Sequence, residues 1–214
     1  MATKKKVGIK VPTKNEILKK YGSMIIQASD TKEPGLWLPS TFFNLNYTLG
    51  GGFPWGKVTE IAGEESSGKS LIALNAAYAC QQLGGSVIWV DAEQSWMNSW
   101  AELNGIDPNK VTVIRDTRIE YISDAVADVA IYLRSKLVNN EPILLVVDSV
   151  AAIDCSDNID SKMVDGKAEM GGRAKALYRY FRIRSELFYK LGVTQIYINQ
   201  LRTALNVGFG KDNT

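Results

Sequence analysis

The chain has 214 residues, 45% of them apolar and 22% charged, which suits one globular domain and excludes fibrous, collagen-like and low-complexity classes. No run nears the roughly 20 apolar residues that span a bilayer, and the basic start Met1–Lys6 is followed by no apolar signal core, so a membrane or secreted protein is not expected. Lys and Arg number 25 against 23 Asp and Glu, a near-neutral balance that neither demands nor excludes nucleic acid. Histidine is absent, which removes Ser-His-Asp chemistry and histidine metal ligands and leaves carboxylates, lysine, tyrosine or cysteine for proton transfer. Cys80 and Cys155 form no CxxC pair, against a zinc site; Cys80, set among apolar residues, reads as a buried reduced thiol of a cytoplasmic protein.

In chain order, residues 1–12 read as a disordered polar lead. Thr13-Lys14-Asn15-Glu16 fits a capping box that opens a short helix through Lys20, stopped at Gly22. Residues 30–40, with Pro34, Gly35 and Pro39, read as a linker, and Gly50-Gly51-Gly52 with Pro54 as a turn. A regular alternation follows. Val58–Ala62 reads as a strand, Lys69–Leu83 as a helix, Val87–Val90 as a strand, Ser95–Asn104 as a helix and Val111–Ile114 as a strand. Ile119, Ile122, Val126, Val129, Leu133 and Leu137 recur at helical spacing. Ile143–Val147 is unbroken apolar sequence, as a central parallel strand buried on both faces requires. Residues 149–172 read as a long polar stretch, Arg173–Leu191 as a helix and Thr194–Ile198 as the last strand, with every proline outside these elements. The order predicts an α/β fold with a mostly parallel central sheet, helices on both faces and a short N-terminal helix.

Gly63-Glu64-Glu65-Ser66-Ser67-Gly68-Lys69-Ser70 matches G-x-x-x-x-G-K-[ST] in full, between a strand and a helix, and Leu71 follows it. Glycines let the backbone curl its N–H groups toward phosphate oxygens, and the helix adds its positive dipole end. Lys69 brings an ammonium to the outer phosphates and Ser70 a hydroxyl to Mg²⁺. Asp148 ends the apolar strand, facing the crevice where such sheets bind ligands, and reads as the second Mg²⁺-holding group; a plain strand-end cap is the alternative. Glu93, just past strand Val87–Val90, is the candidate to orient and deprotonate the attacking water, with Asp91 competing for that role.

These residues resemble a known family. The phosphate loop, Val90-Asp91-Ala92-Glu93, Val146–Ala152 and Ile198-Asn199-Gln200-Leu201-Arg202 are similar, in order, to the core motifs of bacterial RecA recombinases, and Leu49–Gly56 to their entry into the phosphate loop. The resemblance runs from about residue 15 to the end; weaker matches near the N-terminus and over 94–142 mark a divergent member, as a phage-encoded one would be. It implies a RecA-type phosphate-loop ATPase core using ATP and Mg²⁺, with Glu93 as catalytic glutamate beside Lys69, and Gln200 as the link between the γ-phosphate and a DNA-binding loop. It places Trp100 against adenine; a core tryptophan beside Trp96 is the alternative. It makes the end of the 154–172 stretch, Met170, Gly171, Gly172, Arg173 and Lys175, a contact for single-stranded DNA, and Arg202, Leu205 and Phe209 part of a second DNA loop. Asp154, Asp157, Asp160, Asp165 and Glu169 oppose phosphate elsewhere in the first loop, and Arg179, Arg182 and Arg184 read rather as a solvated helix face.

The implied protein is cytoplasmic and forms homo-oligomeric helical filaments on single-stranded DNA for strand exchange and DNA repair. Residues 1–40 would make the subunit contact and 41–214 the ATPase core, ending within the second DNA loop. Family members continue further and place lysines from beyond that point at a neighbour's ATP, so the chain as given is expected to hydrolyse ATP poorly. Two other readings stand: a hexameric DNA motor on the same core, and a non-catalytic filament regulator.

Overall fold

Alternation of side chains along buried parallel strands sets the architecture. The structure, a computed structural model, describes residues 12–25, 36–138, 141–164 and 171–201. The chain divides into two units, Met1–Gly35 and Leu36–Thr214. Within the first, helix α1 (Lys14–Tyr21) carries the expected capping box: the Thr13 side chain accepts from the Glu16 amide and the Glu16 carboxylate takes the Thr13 N–H.

In the second unit, β3 (Val58–Gly63), β4 (Ser86–Asp91), β5 (Val111–Ile114), β6 (Ile143–Asp148) and β7 (Val193–Gln200) form a parallel sheet in the order β3-β7-β6-β4-β5. On one face Val87, Trp89, Leu144, Val146, Ile196 and Ile198 pack under α3 (Lys69–Gln82), whose small residues Ala73, Ala76, Ala77 and Cys80 let the helix lie close. On the other, Ile88, Val90, Ile143, Leu145, Val147 and Val193 pack against α5 (Ile119–Lys136) and α7 (Gly172–Lys190). Along β4, β6 and β7 residues alternate between the two cores, so the central strands are covered on both sides, as the unbroken apolar run Ile143–Val147 anticipates. Burial pushes the Cys80 thiol up to about 12, leaving it an inert core group.

Register brings the strand ends together. Gly63 pairs across to Gln200 and Asp91 to Asp148, all at the carboxyl edge of the sheet.

Several segments depart from the sequence reading. Part of the 30–40 linker forms β1 (Trp37–Leu38), antiparallel to β2 (Phe53–Pro54), so Pro54 does lie in a strand; the short edge pair tolerates it because little backbone pairing is asked of it. A further helix, α2 (Phe43–Thr48), is held by Asn46, whose side chain bonds the Ser40 N–H at 2.7 Å and the Ser40 carbonyl at 2.7 Å. Helix α4 spans Asn98–Leu103 rather than starting at Ser95, because the Asp91 carboxylate holds the Ser95 and Trp96 amides in a turn. The polar 149–172 stretch is not all loop: it contains a 3-10 turn, Val150–Ala152, and α6 (Ser156–Val164). Asn158 is buried there and donates to Asp154 at 2.9 Å, a polar anchor that an apolar-period reading does not register.

Gly52 tests the β1–β2 junction. Its φ is +131°, and a Cβ would sit 2.4 Å from the Leu38 carbonyl oxygen. Gly52→Ala is expected to lower stability by about 2–4 kcal/mol, measured by urea denaturation; a loss under 0.5 kcal/mol would show that the junction relaxes freely.

Candidate nucleotide site and nucleic-acid interface

The loop between β3 and α3 has the backbone an anion cradle needs. Gly68 caps α3 in the left-handed region at φ 86°, and Ser66 also has positive φ. The Ser67 hydroxyl bonds the Glu64 carbonyl at 2.8 Å, and a Cβ on Gly63 would lie 2.9 Å from that hydroxyl oxygen. Lys69 is buried and donates its ammonium to the Glu64 carbonyl at 2.5 Å. A neutral carbonyl thus receives a cation that polyphosphate would match better, and the free amides of the α3 N-terminus are raised on the same turn. Glu64, Glu65, Ser66, Ser67, Ser70 and Leu71 are exposed.

Asp148 is buried at the end of β6, near the Ser70 hydroxyl. Burial raises its carboxyl above the ordinary carboxylate range; the nearby Ser70 hydroxyl opposes this, the charges of Glu93 and Asp91 add to it, and Lys69 opposes it. An acid held in this way gains from a cation, and the residue pair Ser70 and Asp148 suits Mg²⁺ brought in on a nucleotide, since that ion takes one or two protein ligands and completes its shell with phosphate and water. A raised folded pKa means that the folded chain binds this proton more tightly than the unfolded one. The contribution to stability is therefore present below the unfolded pKa and lost as pH rises through the folded value. Asp148→Asn is expected to stabilise the nucleotide-free protein at neutral pH by on the order of 1 kcal/mol and to weaken Mg²⁺-nucleotide binding. Thermal melts with and without Mg²⁺-ATP check both; a destabilised nucleotide-free variant contradicts the sign.

Glu93 and Asp91 part company. Asp91 is wholly buried, accepts from the Ser95 amide at 2.8 Å and pairs with Arg115 Nε at 3.1 Å, so its oxygens are engaged in holding the turn. Glu93 is exposed, and its Oε1 accepts from Gln200 Nε2 at 2.9 Å and from the Ser149 hydroxyl. Lys69, Ser70, Asp148, Glu93 and Gln200 thus gather at one edge of the sheet. Ser149 and Arg115 are not among the residues that the sequence points to; the position of each, directly after a strand's carboxyl end, is the one signal for them.

Trp100 on α4 is 46% exposed, whereas Trp96 packs on Trp89 with ring centroids 5.1 Å apart. Trp100 is therefore no core tryptophan and keeps a free surface.

The nucleic-acid candidates are less uniform. Gly171 is exposed, and Gly172 abuts Asn158 and Cys155. Lys175 is exposed, but Arg173 donates to the Val150 carbonyl at 2.7 Å, which ties the start of α7 to the segment after Asp148. Arg179 and Arg182 are exposed, while Arg184 bonds Ser123 at 2.8 Å and pairs with Asp124, joining α7 to α5. Met170, Arg202, Leu205 and Phe209 lie outside the described residues.

A glycine-bounded loop from a parallel strand into a helix, with a buried lysine and a strand-end aspartate near the loop serine, defines the class of phosphate-loop nucleotide-binding proteins. The model of the RecA N-terminal domain matches residues 11–214, and the chain belongs to the RecA family. It is 36% identical over 194 residues to the protein RecA of Corynebacterium jeikeium, covering 90% of this chain and 49% of that one. It is 37% identical over 172 residues to that of Mycoplasma mycoides, covering 79% and 47%, and 31% identical over 218 residues to that of Bacteroides thetaiotaomicron, covering 100% and 63%. The chain spans about half the length of the first two relatives and under two thirds of the third. No helix among the described residues is long and apolar enough to cross a membrane.

Proposed function

We propose that the protein is an ATP-dependent recombination and repair protein that assembles on single-stranded DNA and hydrolyses ATP in a DNA-dependent way. The observation that carries this reading is the hydrogen bond between Gln200 and Glu93. Gln200 ends β7, and the chain runs directly from it into the segment that the family resemblance makes a DNA loop. Glu93 is the carboxylate best placed to act on water. A polar contact between the two gives DNA and nucleotide a shared residue pair through which each can sense the other.

The phosphate loop from Gly63 to Ser70 with Leu71 would hold ATP, Lys69 would neutralise its outer phosphates, and Trp100 would offer its free face to the base. Ser70 and Asp148 would hold Mg²⁺, which supplies charge neutralisation when bound. Glu93 would orient the water and take its proton. Gly171, Gly172 and Lys175 would meet the DNA backbone, with Met170, Arg202, Leu205 and Phe209 completing the contact. Arg173, bonded to the Val150 carbonyl, is the weakest member of that set, since a phosphate would have to displace a hydrogen bond already made.

The test is binding to fluorescent single-stranded and duplex oligonucleotides across a salt series, with and without Mg²⁺ and a non-hydrolysable ATP analogue, followed by electron microscopy of the complex. Nucleotide-dependent preference for single strands, helical filaments and a log–log salt slope that Lys175→Ala reduces by about one are expected. Closed rings would favour the hexameric motor, and binding indifferent to nucleotide would favour the non-catalytic regulator.

A further inference from the structure

Arg115 follows β5 directly and reaches across to the turn that carries Glu93. Its Nε bonds Asp91 Oδ2 at 3.1 Å and its Nη2 bonds the Trp96 carbonyl at 3.3 Å. Asp91 opens that turn and Trp96 closes it. The other Asp91 oxygen takes the Ser95 amide at 2.8 Å, and Gln94 within the turn has a positive φ of 55°. One planar guanidinium therefore joins both ends of a strained segment, from whose middle Glu93 projects. Beyond Trp96, which is stacked on Trp89, the chain enters α4 with Trp100.

We propose that Arg115 is a positioning residue for the nucleotide reaction, holding the Asp91–Trp96 turn so that Glu93 and Trp100 keep a fixed separation. The proposal rests on the assignment of Glu93 and the phosphate loop made above. The fork geometry is essential: a lysine offers a single ammonium centre and cannot span the carboxylate and the carbonyl with two directed bonds. Arg115 is itself 56% exposed, so removing it opens no core cavity, and the Asp91 bonds to backbone amides keep the turn closed enough to fold. The consequence falls on placement, where displacements of about an ångström alter rates by one to two orders of magnitude.

The experiment compares the unaltered chain, Arg115→Ala and Arg115→Lys in three measurements: amide hydrogen exchange over 92–97, equilibrium binding of Mg²⁺-ATP, and single-turnover ATP hydrolysis in the presence of single-stranded DNA. Arg115→Ala is expected to speed exchange in that segment alone, to slow hydrolysis about tenfold or more, and to change ATP affinity less than threefold. Arg115→Lys is expected to fall between, because the Asp91 pairing survives and the Trp96 bond does not. Turnover within twofold of the unaltered chain in Arg115→Ala, or equal losses of affinity and turnover with faster exchange throughout the sheet, overturns the proposal. An unaltered chain that neither binds nor hydrolyses ATP overturns the functional reading itself, and that result is seen before either variant is compared.

Discussion

Lys69→Ala is expected to reduce affinity for Mg²⁺-ATP about a hundredfold or more. The lysine is buried with its ammonium 2.5 Å from the Glu64 carbonyl, inside the loop that phosphate would enter. Each hydrogen bond to a charged partner contributes about 1.5–3 kcal/mol net, and an ammonium at two phosphate groups makes at least two. About 3 kcal/mol corresponds to roughly a hundredfold in affinity. The substitution also removes one of the two donors to the Glu64 carbonyl, leaving only the Ser67 hydroxyl, which loosens the cradle. Equilibrium titration with a fluorescent ATP analogue measures the change, and an affinity within twofold of the unaltered chain would sink the phosphate-loop assignment.

Glu93→Gln is expected to leave ATP and DNA binding within about threefold while slowing hydrolysis by about 10²–10⁴-fold, the range ascribed to a positioned general base. Glutamine keeps the shape and an acceptor oxygen, so the bonds from Gln200 and Ser149 can persist. What disappears is the proton acceptor. The comparison is single-turnover hydrolysis beside direct binding of both ligands. Normal turnover would exclude Glu93, and Asp91 is a poor substitute because its oxygens are already bonded to the Ser95 amide and Arg115.

The legible parts of this fold are those in which one physical signal dominates. Ile143–Val147 announces a central strand because burial on both faces demands unbroken apolar sequence, and Gly63–Ser70 announces a cradle because few other sequences can curl the backbone that way. Thr13 and Glu16 announce a helix start through complementary donors and acceptors. Legibility fails where polar side chains build structure outside a recognised motif. Asn46 secures α2, and Asn158 with Asp154 organises the start of α6, yet such residues carry no periodicity and read as loop. The same holds within the site. Glu93 follows β4 and Asp148 ends β6, positions that draw the eye to carboxylates, whereas Ser149, which bonds Glu93, and Arg115, which bonds Asp91, lie far in sequence from what they touch. The competition between Asp91 and Glu93 could not be decided from spacing; it turns on the engagement of the Asp91 oxygens by the turn's own amides. Arg173 shows the reverse case, a basic residue at a plausible DNA contact whose guanidinium already has a backbone partner.

The two acidic groups of the site stand on supports of very different stiffness. Asp148 terminates β6, which is hydrogen-bonded to β4 on one side and β7 on the other and is buried along its whole length. To shift it by half an ångström would disturb three strands and both cores. Glu93 hangs from a surface turn closed by a handful of polar contacts. The corner proposed to hold metal is in effect masonry, while the corner proposed to handle water is a bracket. On the proposed roles, affinity for a metal-bound nucleotide would be tied to the integrity of the whole sheet, whereas speed of turnover would be tied to a few side chains around Asp91. Substitutions on the surface around Asp91 would then change rate while the capacity to bind is kept.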